Sequence, residues 1–527
     1  MTLFDMKMIT TETKMSLTVL ITTSGVGSRL GELTKHTNKC LVRVDDKPAI
    51  SHIIESYPRD SNFVITLGHF GSHVEQFLSL AYPDIKFTFV KVDKYEGDGS
   101  SLGYSIYQCK EKINGPFIYH ACDTIVKDLK FDKKNFIIGS KKDNVSQFRT
   151  LRHSSSRIYD KGEIEYDLAY CGICGVEDHK KFFDILEKFL DTNFFELSDV
   201  DVVNVMSTDT KFDIIEVKEW FDIGNSGELQ NTRQHFHSKF HVLDKPEESI
   251  YFFDDFVIKF FSNPVIVKNR VDRAKYMDDI VPQIVAHSEH FYKYKIVESN
   301  LFASVVNTES FEKLLSWSKD NLWEKVEFEN FDSLCFDFYY HKTIERVNKF
   351  CENFNDDKAY INDLSIPKVA NLLEEIDFQY LSQGVSVRFH GDFILDNILY
   401  DGSDFKLIDW RQDFQGVITC GDVYYDLAKL NHSLTLNHKV LDSQLFSIDY
   451  IDKDRIKLDI LVPFINKQCQ QKYHKWIVNN NFDLKKIKIL TCLIWLNMAP
   501  LHEYPLNNFL FNFGKYNLFM NLRGLDD

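Results

Sequence analysis

Between Gly227 and Gly384 the chain contains no glycine, although 22 are spread over its 527 residues. That gap excludes a glycine-rich phosphate loop from the middle of the sequence. Long apolar runs are missing too. The most apolar late stretch, ILTCLIWLNMAPL (489–501), is too short to span a bilayer and is interrupted by Asn497, so no membrane insertion is expected. The opening residues MTLFDMKMITTETKM lack the continuous apolar core of a signal peptide, and a cytoplasmic location is expected. Positive charge is in deficit, with 62 Lys and Arg against 78 Asp and Glu. That balance argues against nucleic acid and anionic membranes as partners. A phosphate site must therefore be a local positive pocket in a negative field. Ten cysteines show no spaced framework. Cys171 and Cys174, in LAYCGICGV, read as part of a strand that puts them on opposite faces, with no second pair to complete a zinc site.

What is present is enough apolar residue for two or three cores. In the first half, LTVLITT (17–23), NFVITLG (62–68), KFTFVKV (86–92) and PFIYHA (116–121) read as buried strands. PAISHIIESY (48–57), SHVEQFLSLA (72–81) and SLGYSIYQCKEKI (101–113) between them read as helices. This alternation predicts an α/β, doubly wound, Rossmann-like and mostly parallel sheet, with ligands at the carboxyl ends of its strands. A polar connector follows at 231–246, dividing a first domain (1–230) from a second (247–527). The second opens with a strand pair, SIYFFDDFVIKFF, and continues as long helical patterns. It is expected to be a bilobal α+β domain of protein-kinase type, with a small lobe at about 247–315 and a helical lobe at about 316–527.

The loop TTSGVGSRLGELT directly follows the first strand. Gly25 and Gly27 let backbone N–H groups approach a polyphosphate, and Arg29 and Lys39 add charge. A dinucleotide site wants G-x-G-x-x-G, but the third glycine here is Gly31, and the P-loop pattern is absent. A plain glycine turn is the remaining simple alternative. Residues 20–55 as a whole, through K-C-L-V and D-K-P-A-I-S-H-I-I, resemble the sugar-nucleotide and choline-phosphate nucleotidyltransferases, with Asn38 where that family usually has Pro. The resemblance runs over most of 16–225. It implies that Ser24, Gly25, Gly27 and Ser28 hold an NTP triphosphate and that Arg29 and Lys39 act on its phosphates. By the same resemblance, EGDGSSLGYSI (96–106) places Gly99, Ser100 and Ser101 against the nucleoside. Asp123 and Asp222, the latter in EWFDIGN, become Mg²⁺ ligands.

A second constellation begins at His390-Gly391-Asp392, with Asn397 five positions beyond Asp392 and Asp409 after the strand FKLI. This is the spacing of a kinase catalytic loop. A hairpin with D-G-S-D turn residues explains the turn but not the four polar residues together. With GDVYYDLAKL (421–430), the stretch resembles the aminoglycoside phosphotransferase and choline kinase superfamily. The resemblance makes Asp392 the catalytic base, Asn397 and Asp409 Mg²⁺ ligands, and Lys259 the lysine that pairs with ATP phosphates, with Asp272 its candidate acidic partner. The missing glycine loop departs from the pattern.

A kinase makes a phosphate monoester and a nucleotidyltransferase consumes one. The expectation is a bifunctional enzyme: ATP phosphorylates a small alcohol or sugar, and a second NTP, CTP favoured, activates that phosphate. The product would serve cell-surface polysaccharide or lipid head-group synthesis. The alternative is a sugar-1-phosphate nucleotidyltransferase using UTP, GTP or dTTP, with a sugar kinase or a non-catalytic kinase-like sensor attached. A homo-oligomer is compatible with either.

Overall fold

The computed structural model describes residues 16–130, 134–192, 196–236 and 245–525. The N-terminal stretch 1–15 and half of the connector, 237–244, lie outside the described residues. By its contacts the chain divides into two compact units: one runs to Pro264 and takes in Ala286–Lys293, the other comprises Val265–Val285 and the chain from Tyr294 onward.

In the first unit the four expected strands, Thr18–Thr22, Asn62–Leu67, Lys86–Lys91 and Phe117–Ala121, all form and lie parallel. Thr22 stands beside both Thr66 and Ala121, so the strands end level and their following loops open on one edge. The remaining strands extend this to a nine-stranded sheet, joined through the antiparallel strand Leu168–Val176. Cys171 and Cys174 lie in that strand and are buried in two different cores, on the two faces of the sheet. Helices Ala49–Glu55 and Gly71–Ala81 pack their apolar faces, Ile50, Ile53, Val74 and Phe77 among them, into the first of these cores.

The contact division falls at Pro264 rather than in the connector. Strands Glu248–Phe252 and Phe256–Phe261, assigned above to the second domain, pack in the first unit. Tyr251, Phe253, Ile258 and Phe260 alternate onto one face of this pair and join the core around Phe77. The Tyr251 ring meets Phe77 edge-on at 5.3 Å, and its hydroxyl donates to the Leu41 carbonyl at 2.7 Å. The expected small lobe is thus shared out, since strand residues pack where their apolar face finds a partner.

The second unit is dominated by helices, among them Thr308–Asn321, Val423–Thr435, Phe464–Asn479, Leu484–Met498 and Leu506–Arg523. The helix Leu484–Met498 is apolar nearly all round from Ile489 to Leu496 and is buried there accordingly. Short strand pairs, among them Ile398–Tyr400 with Phe405–Leu407, carry the loops that matter below. Among the described residues no helix is long and apolar enough to cross a membrane.

Candidate active sites

In the first unit, the loop after Thr22 and the residues after Ala121 emerge side by side. Gly27 has φ +70°, and a Cβ there would stand 2.8 Å from Lys39 Cβ, so only glycine fits between the loop and that lysine. Asn38 does more than change loop stiffness. Its amide donates to the carbonyls of Thr23 and His69, at 2.7 and 2.6 Å, and its oxygen accepts from Cys40 N. The Lys39 segment is thereby tied to the strand end. Ser24 gives its hydroxyl to Ser105 at 2.9 Å and so fastens the loop to the helix Leu102–Tyr107. Gly25 has open space around it, and Ser28 is exposed at the start of a 3₁₀ turn. In the second loop Gly97 and Gly99 have positive φ, Ser100 donates to Gly97 O, and Ser101 caps the following helix.

The two carboxylates are brought together by a short antiparallel pair, in which Asp222 stands opposite Thr124 and Ile223 N donates to Asp123 O at 2.9 Å. Lys39 Nζ lies 3.0 Å from Asp123 Oδ2. Burial works against both charges, but each is outweighed by the other. Lys39 is held above its usual range, and Asp123 is held below its own by Lys39 and then Arg29. A Cβ placed on Gly224 would touch Arg29 Nη2 and Asp222 Oδ1 at 3.3 Å and Asp123 Oδ2 at 3.5 Å. Three of the expected groups therefore converge on one small space that glycine leaves open. Burial pushes the Asp222 carboxyl up to about 7, helped by the negative charges of Asp123 and Glu228. Two carboxylates opposed in this way are suited to sharing a divalent cation, whose charge offsets their repulsion. Among the described residues no three His, Cys, Asp or Glu side chains form a complete metal cluster. Phosphate oxygens would have to complete the shell.

In the second unit Asp392 is the centre. Its Oδ1 lies 2.7 Å from Lys429 Nζ, and Asn397 Nδ2 donates to both Asp392 O and Oδ2, at 2.9 and 3.1 Å. Burial alone would raise this carboxyl; Lys429 overcomes it and holds Asp392 well below the usual range, hence ionised. With its amide hydrogens committed, Asn397 keeps its carbonyl oxygen as a cation ligand. Asp409 sits at φ +59°, a strained position for a residue with a side chain, of the kind found where geometry serves function. Asp392 and Asp409 line one cavity of about 250 Å³. His390 is fully buried. Its Nδ1 accepts from Asp392 N at 3.2 Å, and its Nε2 therefore carries the proton to Ile408 O at 2.9 Å. The ring joins the loop that carries Asp392 to the strand that precedes Asp409.

Two residues that sequence reasoning missed hold this arrangement. Asp426 is fully buried in helix Val423–Thr435, where it accepts from His390 N at 2.7 Å, Gly391 N at 2.6 Å and Trp323 Nε1 at 3.1 Å. Lys429, one helical turn later, reaches Asp392. An acid and a lysine one turn apart in the otherwise apolar segment VYYDLAKL were the available signal. From the other side, Arg273 donates to the carbonyls of Phe389 and Arg411, and Arg270 approaches Asp409 at 3.7 Å. Asp272 is engaged by Lys268 and Lys275 of its own helix, at 3.1 and 2.8 Å. Lys259 is a buried lysine of the first unit's strand Phe256–Phe261.

Burial lowers His390 to about 4 and His432 to about 3. Below 6.5 the unfolded chain takes up protons that these native rings refuse, so stability falls as pH falls from 6.5 through 4. For His390 alone the loss is on the order of 3 kcal/mol. Asp426, raised to about 6 by burial, acts oppositely, because its contribution fades as pH rises through that value. The two histidines outweigh it. Thermal unfolding across this range is expected to show a falling midpoint toward acid, and a shallower fall in His390→Gln.

No family model matches the chain. The similarities found all fall in the N-terminal region, about 42% of the chain. It is similar to the bifunctional protein GlmU of Methanococcus maripaludis, 24% identical over 231 residues that make up 42% of this chain and 54% of that protein. The GlmU of Methanococcus vannielii is likewise 24% identical, over 232 residues. The chain thus spans about half the length of the curated relatives it matches. Among solved structures, the CTP:phosphocholine cytidylyltransferase of Streptococcus pneumoniae matches with 18% identity and a TM-score of 0.37, over 42% of this chain and 99% of that one. The UDP-glucose pyrophosphorylase of Acinetobacter baumannii matches with 16% identity and a TM-score of 0.35, over 42% and 93%.

Proposed function

We propose that the chain is a two-site transferase, in which ATP phosphorylates a small alcohol or sugar at the Asp392 site and an NTP then activates that phosphate at the Asp123 site. The observation that carries the first site is the convergence of Arg29, Asp123 and Asp222 on the space at Gly224, beside Lys39. There a phosphate monoester oxygen attacks the α-phosphorus of the NTP, the α–β phosphoanhydride bond breaks, and pyrophosphate leaves. Arg29 and Lys39 offset the negative charge that gathers as two anions meet. At the second site the acceptor hydroxyl gives its proton to Asp392 and ADP leaves. Lys429 keeps Asp392 ionised for that role, and His390 with Asp426 keeps the loop in place. Mg²⁺, held by Asp123 and Asp222 in one site and by Asn397 and Asp409 in the other, would neutralise phosphate charge and align the oxygens. CTP is our expectation for the activating nucleotide, on the resemblance of residues 20–55 to choline-phosphate as well as sugar nucleotidyltransferases. The product would donate to cell-surface polysaccharide or lipid head-group synthesis.

Thermal unfolding with Mg²⁺ and each of ATP, CTP, UTP, GTP and dTTP tests the reading without knowledge of the acceptor. A ligand at a hundredfold excess over its Kd stabilises its site by about 2.7 kcal/mol. ATP is expected to lose its effect in Asp409→Ala, and one other NTP, CTP by this reading, in Asp222→Ala. If no nucleotide responds to Asp409→Ala, the second site is not a kinase.

A further inference from the structure

The cavity beside Asp392 is lined by five cations, Arg270, Lys342, Arg346, Arg411 and Lys429, and by only two carboxylates, Asp392 and Asp409. Arg270 and Lys429 face those two acids. Lys342, Arg346 and Arg411 have no such partner: among the described residues none of the three is within ion-pair distance of a carboxylate. The acid that acts on Arg346 is Glu345, which is beside it in sequence. Lys342 and Arg346 lie one turn apart on the helix Lys342–Cys351. Burial, then Arg411, Arg346 and Lys429, hold the Lys342 ammonium well below its usual range, and Asp392 opposes them without prevailing.

The aromatic rings of the same cavity are already covered. Lys342 Nζ stands 4.0 Å from the Phe338 ring and 5.5 Å from Tyr425, and Arg411 lies 5.2 Å from Phe338. Tyr339 spends its hydroxyl on Asp422 at 2.7 Å. A cage for a quaternary ammonium needs open ring faces and no competing cation; this cavity has the reverse.

We propose that the acceptor is a small hydroxylated anion, its carboxylate or phosphate held by Lys342, Arg346 and Arg411 while its hydroxyl is presented to Asp392. This rests on the kinase reading of that site. In the transfer, the hydroxyl oxygen bonds to the γ-phosphorus of ATP, the bond from γ-phosphorus to the β–γ bridging oxygen breaks, and ADP departs. The hydroxyl proton passes to Asp392. A positive pocket inside a chain of net charge −16 selects such a molecule over choline- or ethanolamine-like alcohols, which it repels.

Calorimetry on the full chain with Mg²⁺ and a non-hydrolysable ATP analogue, using glycerate, glycerol phosphate, glycerol, choline and ethanolamine as probes, decides the matter alongside turnover with ATP. At least one anion is expected to bind, and Lys342→Met and Arg346→Gln each to weaken it by about tenfold or more while ATP-analogue binding stays unchanged. Glycerate against glycerol phosphate separates a carboxylate site from a phosphate site. Tighter binding of choline or ethanolamine, anion binding indifferent to both substitutions, or no anion binding would each overturn the proposal. An anion that binds through Lys342 and Arg346 yet is never phosphorylated leaves the anion site standing and removes the kinase step instead.

Discussion

Asp392→Ala is expected to abolish ATP-dependent phosphorylation, by a factor of about 10² to 10⁴, while pyrophosphate release from an NTP and a supplied phosphate monoester continues at the wild-type rate. The expectation follows from where this carboxylate sits. Lys429 holds it ionised at 2.7 Å, Asn397 holds its backbone and side chain, and the cavity opens on it. Removing it also leaves the Lys429 ammonium buried without a partner, so part of any loss of activity could come from local unfolding. Asp392→Asn retains the shape and separates the two effects. A folded Asp392→Asn chain that phosphorylates at the wild-type rate would sink the assignment.

The reciprocal substitution is the second large effect. Asp123→Ala should stop pyrophosphate release, by a factor of about 10² or more if the lost cation and charge stabilisation compare with a removed oxyanion donor. Phosphorylation should persist. Two properties make Asp123 the sharper probe of the pair with Asp222. It is the ion-pair partner of Lys39, and it is held ionised, whereas Asp222 is pushed up to about 7. Asp123→Asn, with the Lys39 contact weakened but filled, is the control for folding. Radiolabelled NTP and pyrophosphate exchange measures the result directly. Loss of both reactions in either folded variant would mean that the chain does not divide its chemistry between two sites.

Much of the first site is legible in the sequence because its parts are local. Gly25, Gly27 and Arg29 lie within a few residues of a strand end, and strand–helix alternation places that end at the sheet's ligand edge. Asp222 is farther away in the chain and is reached only through the family resemblance of EWFDIGN. Asn38 reads as a missing proline; only its three hydrogen bonds reveal a tie between loops. Asp426 and Lys429 escape because a charged pair one turn apart on a helix normally faces water. Lys342 and Arg346 escape for the same reason, and their role depends on which helices close over them. The strands at 248–261 are legible as strands and misassigned as neighbours. Period-two alternation says which face is apolar but not whose core receives it.

That misassignment has a practical side. Tyr251, Phe253, Ile258 and Phe260 fill the core around Phe77, yet by sequence they fall in the second domain. A gene divided at the connector would give an N-terminal product whose Phe77 and Leu41 carbonyl had lost their cover. Such a product would be sticky and poorly soluble even though its catalytic loop was whole. Any free-standing version of the N-terminal unit has to retain residues to about 293 or replace Phe77 and the other apolar residues that those four side chains cover.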